Sequence, residues 1–130
     1  MQGRNSMRAA ALAVVLAGGV SVAAGGAKPD ASAGKTIYDR DCASCHGATG
    51  KGDGDDAAYF TTKPTDLTDH AALSKRSDEF LATVISGGGP AKGLSKDMHA
   101  AKNLTPAEVK SVVAYVRQLS GAGKPSKAAK

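Results

Sequence analysis

Tryptophan is absent from this chain of 130 residues, and two phenylalanines and three tyrosines are its only aromatic residues. A domain of this size buries a low fraction of its surface, so with so few large side chains it needs a disulfide, a metal or another non-protein group to be stable. Alternating runs of β-branched residues, the mark of strands, are missing, and there is no internal repeat. The glycine-rich stretch 47–56 lacks the Gly-Lys-Ser/Thr ending of a phosphate loop and follows no strand. It also lacks the terminal glutamate of a calcium-binding EF-hand, despite Asp53, Asp55 and Asp56. No signature for hydrolysis or group transfer is present.

Acidic residues are absent from the first 27 positions, which carry Arg4 and Arg8 and then no charge from Ala9 to Ala27. A basic lead, an apolar run and small residues behind it describe a secretory signal peptide, assigned to residues 1–27. The run holds only six large aliphatics (Leu12, Val14, Val15, Leu16, Val20, Val22) and is marginal for a membrane-spanning anchor. Small residues at −3 and −1 allow cleavage after Ala23 or after Ala27. Without a twin-arginine pair the chain is expected to cross unfolded, into the periplasm, and to take up any cofactor afterwards. Removing residues 1–27 lowers the net charge from +5 to +3, too modest and too interleaved for nucleic-acid binding.

What is present is concentrated in Cys42-Ala43-Ser44-Cys45-His46, which holds both cysteines of the chain. A zinc site would need two more ligands, and only His70 and His99 are on offer. A thioredoxin-like redox pair would need a βαβ surround that is not here. A small structural disulfide is a third reading. Covalent attachment of one haem c is the fourth and the favoured one. Two thiols three positions apart lie on one side of a helical turn and can add to the two vinyl groups of haem. His46 then falls beneath the iron as proximal ligand. Attachment outside the cytoplasm agrees independently with the export signal.

The second axial ligand decides what such an iron does. Met98 is the one methionine outside residues 1–27, in a glycine-rich stretch (87–98) with no apolar stripe around it. A core role suits it poorly, so it is assigned as the sixth ligand. His99 is the rival, and would lower the potential that a thioether raises. His70 reads as a solvated polar residue.

Three helices are legible. Asp30 or Ser32 caps the first, which runs to about Cys42 with Ala33, Ile37 and Tyr38 on its apolar face. Ser77-Asp78-Glu79 opens the second, carrying Phe80, Leu81, Val84 and Ile85 to Gly87. Thr105-Pro106-Ala107-Glu108 is a capping box with proline at the first helical position. It opens the third, in which Val109, Val112, Val113, Val116 and Leu119 recur at helical spacing beside Tyr115. Between the first two, Lys63-Pro64-Thr65-Asp66-Leu67 reads as an extended turn with one helical turn after it. The domain is expected over 28–120, with a disordered basic tail at 121–130.

From about Gly34 to Leu119 these residues resemble the class I c-type cytochromes, specifically small single-haem bacterial ones. The resemblance rests on Cys42-Ala43-Ser44-Cys45-His46-Gly47, Gly50-Lys51-Gly52-Asp53-Gly54, Lys63-Pro64-Thr65-Asp66-Leu67, Gly87-Gly88-Gly89-Pro90 with Met98, and Val113-Ala114-Tyr115-Val116-Arg117. It implies an all-α cytochrome c fold, three to four helices around one haem, in which the first and last helices cross. It also implies that Gly34 lets Tyr115 approach closely, and that the Pro64 carbonyl accepts a hydrogen bond from the proximal imidazole and orients it. Where the family usually places a proline and an aromatic after the axial methionine, this chain has His99-Ala100-Ala101, and Asp55 and Asp56 stand where small apolar residues are commoner. The function implied is one-electron transfer between redox proteins by a monomer that is not itself an enzyme. The alternatives are a haem subunit fixed in a dehydrogenase or reductase complex, or a haem sensor or enzyme with an open sixth position.

Overall fold

The computed structural model describes residues 27–121. The expected signal peptide and basic tail lie outside these residues, apart from Ala27 and Gly121. Among the described residues the chain is all-α: α1 (Ala31–Asp41), α2 (Ala43–His46), α3 (His70–Ser74), α4 (Asp78–Gly87) and α5 (Pro106–Leu119), with 3₁₀ turns at Asp55–Tyr59 and Gly89–Lys92. No helix among them is long and apolar enough to cross a membrane.

Local chemistry explains where the three long helices begin. The Asp30 carboxylate accepts the Ser32 amide at 2.9 Å, and the Ser77 hydroxyl accepts the Phe80 amide at 3.0 Å. At α5 the capping box is complete. Thr105 Oγ1 accepts the Glu108 amide at 3.3 Å, while Glu108 Oε2 accepts the Thr105 amide at 2.7 Å. These bonds satisfy amides that a helix start otherwise leaves unpaired, and they hold the Glu108 carboxyl below the usual carboxylate range. Asp78 and Glu79 in the first turn of α4 add the favourable charge for that end of the helix dipole.

The most extensive packing in the domain is between α1 and α5. Gly34 is buried at the crossing, and a β-carbon there would run into the Ser111 carbonyl and come within 3.0 Å of the Val112 nitrogen. The close approach at Gly34 is therefore to α5 main chain rather than to Tyr115. Tyr115, one turn further on, packs edge-on against Tyr38, one turn beyond Gly34, with ring centroids 5.2 Å apart. Ala33, expected on the apolar face, is exposed because Gly34 sets the phase of α1. Ile37, Leu73, Ile85, Val109, Val112, Val113 and Val116 form the core cluster.

Arg117 is the member of α5 that sequence periodicity hides. Its side chain is only 3% exposed. Nε donates to Asp78 Oδ1 at 2.8 Å and Nη1 to the Leu73 carbonyl at 2.7 Å, while Nη2 donates to the Arg76 carbonyl. One planar guanidinium so ties α5 to the end of α3 and the start of α4. Arg117→Met keeps the apolar stem but leaves two carbonyls without a donor. The expected loss is about 2–3 kcal/mol, read as a lower denaturant midpoint of the haem-loaded protein. Lys35→Ala, which removes an exposed pair with Asp39, should leave that midpoint where it is, because solvent screens such a pair.

Candidate functional site

The Cys-x-x-Cys-His stretch is built as a break and a turn. Cys42 ends α1, its amide donating to the Tyr38 carbonyl at 2.9 Å, and its own carbonyl accepts the amides of Cys45 (3.2 Å) and His46 (2.9 Å). This chain reversal puts both sulfurs and the imidazole along one wall. Tyr38, fully buried, anchors it by donating its hydroxyl proton to the Gly47 carbonyl at 2.7 Å. Behind the wall the glycine-rich loop folds back: the Gly52 amide donates to the His46 carbonyl at 2.7 Å and the Gly54 amide to the Cys45 carbonyl at 3.2 Å. A β-carbon on Gly52 would strike the Pro64 carbonyl. The glycines that read only as a loop are therefore the backing of the cysteine turn, and Asp55 opens a 3₁₀ turn rather than continuing the loop.

In front of the wall lies a cavity of about 1770 Å³, larger than an ordinary small-molecule pocket. Cys42, Cys45, His46, Pro64, Met98 and His99 all line it. So do Leu73, Leu81, Val84, Ile85, Val112 and Val116, so that the core cluster forms one side of the cavity instead of closing on itself. The five residues assigned from the sequence as attachment, ligand and orienting groups thus share one chamber. His99 lines it too but is exposed, and His70 lies elsewhere, its Nδ1 3.1 Å from the Ser120 carbonyl.

The donor set fits a flat apolar group carrying a metal. Both cysteines are free thiols, with no disulfide between them. Burial, then the neighbouring Asp41 and Cys45, push the Cys42 thiol up to about 11. A redox dithiol needs a depressed thiolate, so the thioredoxin-like alternative finds no support here. Among the described residues no group of three or more His, Cys, Asp and Glu side chains is placed to hold a metal ion by itself. The His46 Nδ1 is buried with no hydrogen-bond partner, a condition costing about 1–3 kcal/mol unless something compensates it. Burial holds the imidazole below its ordinary pKa, with the Thr65 backbone opposing. The ring is therefore kept neutral, the state in which an imidazole can bind a metal. Pro64 is half-buried at the same wall, its carbonyl against Gly52, and no bond joins it to the ring.

The cytochrome c family pattern matches residues 31–120. The chain belongs to the cytochrome c family. Members carry haem c bound through a Cys-x-x-Cys-His unit, and Cys42-Ala43-Ser44-Cys45-His46 fits that pattern. Among solved structures, this cytochrome is similar to a chain of the Kuenenia stuttgartiensis reducing HAO-like protein complex Kustc0457/Kustc0458, with a TM-score of 0.58 and 28% identity over 75% of this chain and 47% of that one. It therefore spans about half the length of that neighbour. It is also similar to the KustC0563 c-type cytochrome, with a TM-score of 0.51 and 29% identity over 70% of this chain and 98% of that one. No curated protein matches.

Arg117 appears in the sequence only as the end of the Val113-Ala114-Tyr115-Val116-Arg117 stretch, and its buried tie to α3 and α4 has no signal there, because a cation on an amphipathic helix reads as solvent-facing. Phe80 likewise read as plain core. It lines the cavity and carries Arg76 at 4.5 Å and Lys92 at 5.8 Å over its ring.

Proposed function

We propose that this cytochrome is an exported, periplasmic carrier of single electrons between larger redox proteins, with one haem c joined to Cys42 and Cys45 and its iron held between His46 and Met98. The observation that carries this reading is the sharing of one cavity by both thiols, His46 and Met98. A bound haem supplies an iron that takes up and gives back one electron. His46, half-buried with its Nδ1 shut off from solvent, would supply one ligand to that iron, and the Pro64 carbonyl is the proposed acceptor for the Nδ1 proton, fixing the ring. Met98 supplies a thioether that favours the ferrous state and keeps small molecules off the iron. Leu73, Val84, Ile85, Val112 and Val116 exclude water from the chamber, which raises the potential further by disfavouring the added charge of ferric iron.

Visible spectra of the haem-loaded protein test it. Oxidised protein should show a low-spin spectrum with the weak red sulfur–iron band, and the reduced spectrum should not move under carbon monoxide. A high-spin spectrum that shifts with the gas means an open sixth position, and a sensor or enzyme in place of a carrier.

A second reading has one specific observation behind it. The neighbour in the Kustc0457/Kustc0458 complex is a chain about twice as long, within an assembly. A relay subunit fixed in a larger complex would have the same site, and would co-purify with its partner at native abundance where a diffusing carrier would not.

A further inference from the structure

The Met98 side of the cavity is held by main chain rather than by side chains. Gly88 leaves α4 at φ 79° and ψ 172°, a conformation close to glycine's alone. From there the Gly89 amide donates to the Met98 carbonyl at 2.8 Å, the Leu94 amide to the Gly89 carbonyl at 2.9 Å, and the Ala101 amide to the Ile85 carbonyl at 2.8 Å. Residues 98–101 are thereby stitched back onto the end of α4. The fit leaves no room for side chains on the α4 side. A β-carbon on Gly88 would lie 2.8 Å from the Met98 carbonyl and 3.1 Å from the Ala100 nitrogen. One on Gly89 would run into the Ser95 carbonyl and lie 3.1 Å from the Met98 β-carbon. On the other flank the Ser95 hydroxyl accepts the Asp97 amide at 3.2 Å, closing a tight turn just before Met98. Gly93, in the same loop, has φ 68° and open space around it.

We propose that Gly88 and Gly89 are the positioning residues for Met98: their bare α-carbons let the end of α4 grip the Met98 main chain and fix where the thioether stands. This rests on reading Met98 as an iron ligand. Where the family usually has a proline and an aromatic after the axial methionine, this chain has His99-Ala100-Ala101. The bracing comes instead from the segment before it, through the Gly87-Gly88-Gly89 run. A loop held in this way has already lost the freedom that ligation would otherwise have to remove, so the sulfur binds the iron more tightly. Gly89 does not line the cavity; it acts through Met98.

The test compares haem-loaded wild type with Gly89→Ala and Gly93→Ala, reading the red sulfur–iron band of the ferric protein and its affinity for cyanide, which competes with Met98. Gly89→Ala is expected to lose the band and to bind cyanide at least about tenfold more tightly. Gly93→Ala strains the same loop without a clash, and is expected to lose some stability while keeping the band and the wild-type affinity. A Gly89→Ala protein that is merely less stable, with band and cyanide affinity unchanged, overturns the proposal alone. A wild type without the band overturns the ligand reading and the proposal with it. If Gly89→Ala yields no folded haem protein, amide exchange in the wild type decides. Gly89 and Ala101 amides as protected as those inside α4 support the grip, and free exchange at these two overturns it.

Discussion

Met98→Ala is expected to open the iron. The ferrous protein should then bind carbon monoxide, which the wild type is expected to refuse, and the reduction potential should fall by on the order of 0.2 V, a part of the roughly 0.8 V over which axial ligands move haem. The direction follows from the chemistry of the lost donor. A thioether is a soft, weakly donating ligand that favours ferrous iron, and water or hydroxide in its place favours ferric. His99 complicates the outcome in an informative way, since it lines the same cavity and is exposed. Should its imidazole swing onto the vacated iron, carbon monoxide would be refused while the potential still fell. Met98→Ala combined with His99→Ala separates the two, restoring gas binding only where His99 had stepped in. A single variant with the wild-type potential and spectrum would remove Met98 from the site.

The largest effect on stability is expected at Gly34. Alanine there drives its methyl into the Ser111 carbonyl, and the obstacle is helix backbone, which cannot turn aside as a side-chain tip would. α1 and α5 must move apart, and with them Ile37 and Tyr38 from Val112 and Tyr115. Overpacking against main chain lies at the upper end of its usual range, so a loss of more than about 3 kcal/mol is expected. Urea unfolding of the haem-loaded protein measures it. Ala33→Ser, one position away but exposed, changes only helix propensity and should cost no more than about 0.5 kcal/mol. Equal midpoints for the two variants would show that the crossing has room to spare.

How much of this was legible in the sequence varies by the kind of signal involved. The three long helices carry local signals: Asp30, Ser77 and the Thr105–Glu108 box each satisfy amides within three residues, so a short window contains the whole cause. The cysteine turn is equally local, and its two thiols and imidazole face one chamber as their spacing requires. Arg117 was invisible for the opposite reason. Its partners at Leu73, Arg76 and Asp78 come from about forty residues away, and a cation on an amphipathic helix ordinarily marks the wet side. Gly34 was read as the point of close approach, but glycine has no hydropathy to say what approaches it. The answer, the Ser111 carbonyl, belongs to the main chain and has no letter in the sequence. The same holds for Gly88 and Gly89, which read as loop because flexibility and close contact are written with the same residue.

The crossing of α1 with α5 has a consequence in time. Its two halves, 31–41 and 106–119, come from near the two ends of the domain, so the contact that completes the core closes the domain's longest loop and carries the largest closure entropy of its helix pairings. In a chain that crosses a membrane unfolded, as proposed, Cys42, Cys45 and His46 stand open until Val112 and Val116 dock to wall them in. On that reading haem would meet a short unclosed segment rather than a finished protein, and docking of the last helix would then shut the chamber.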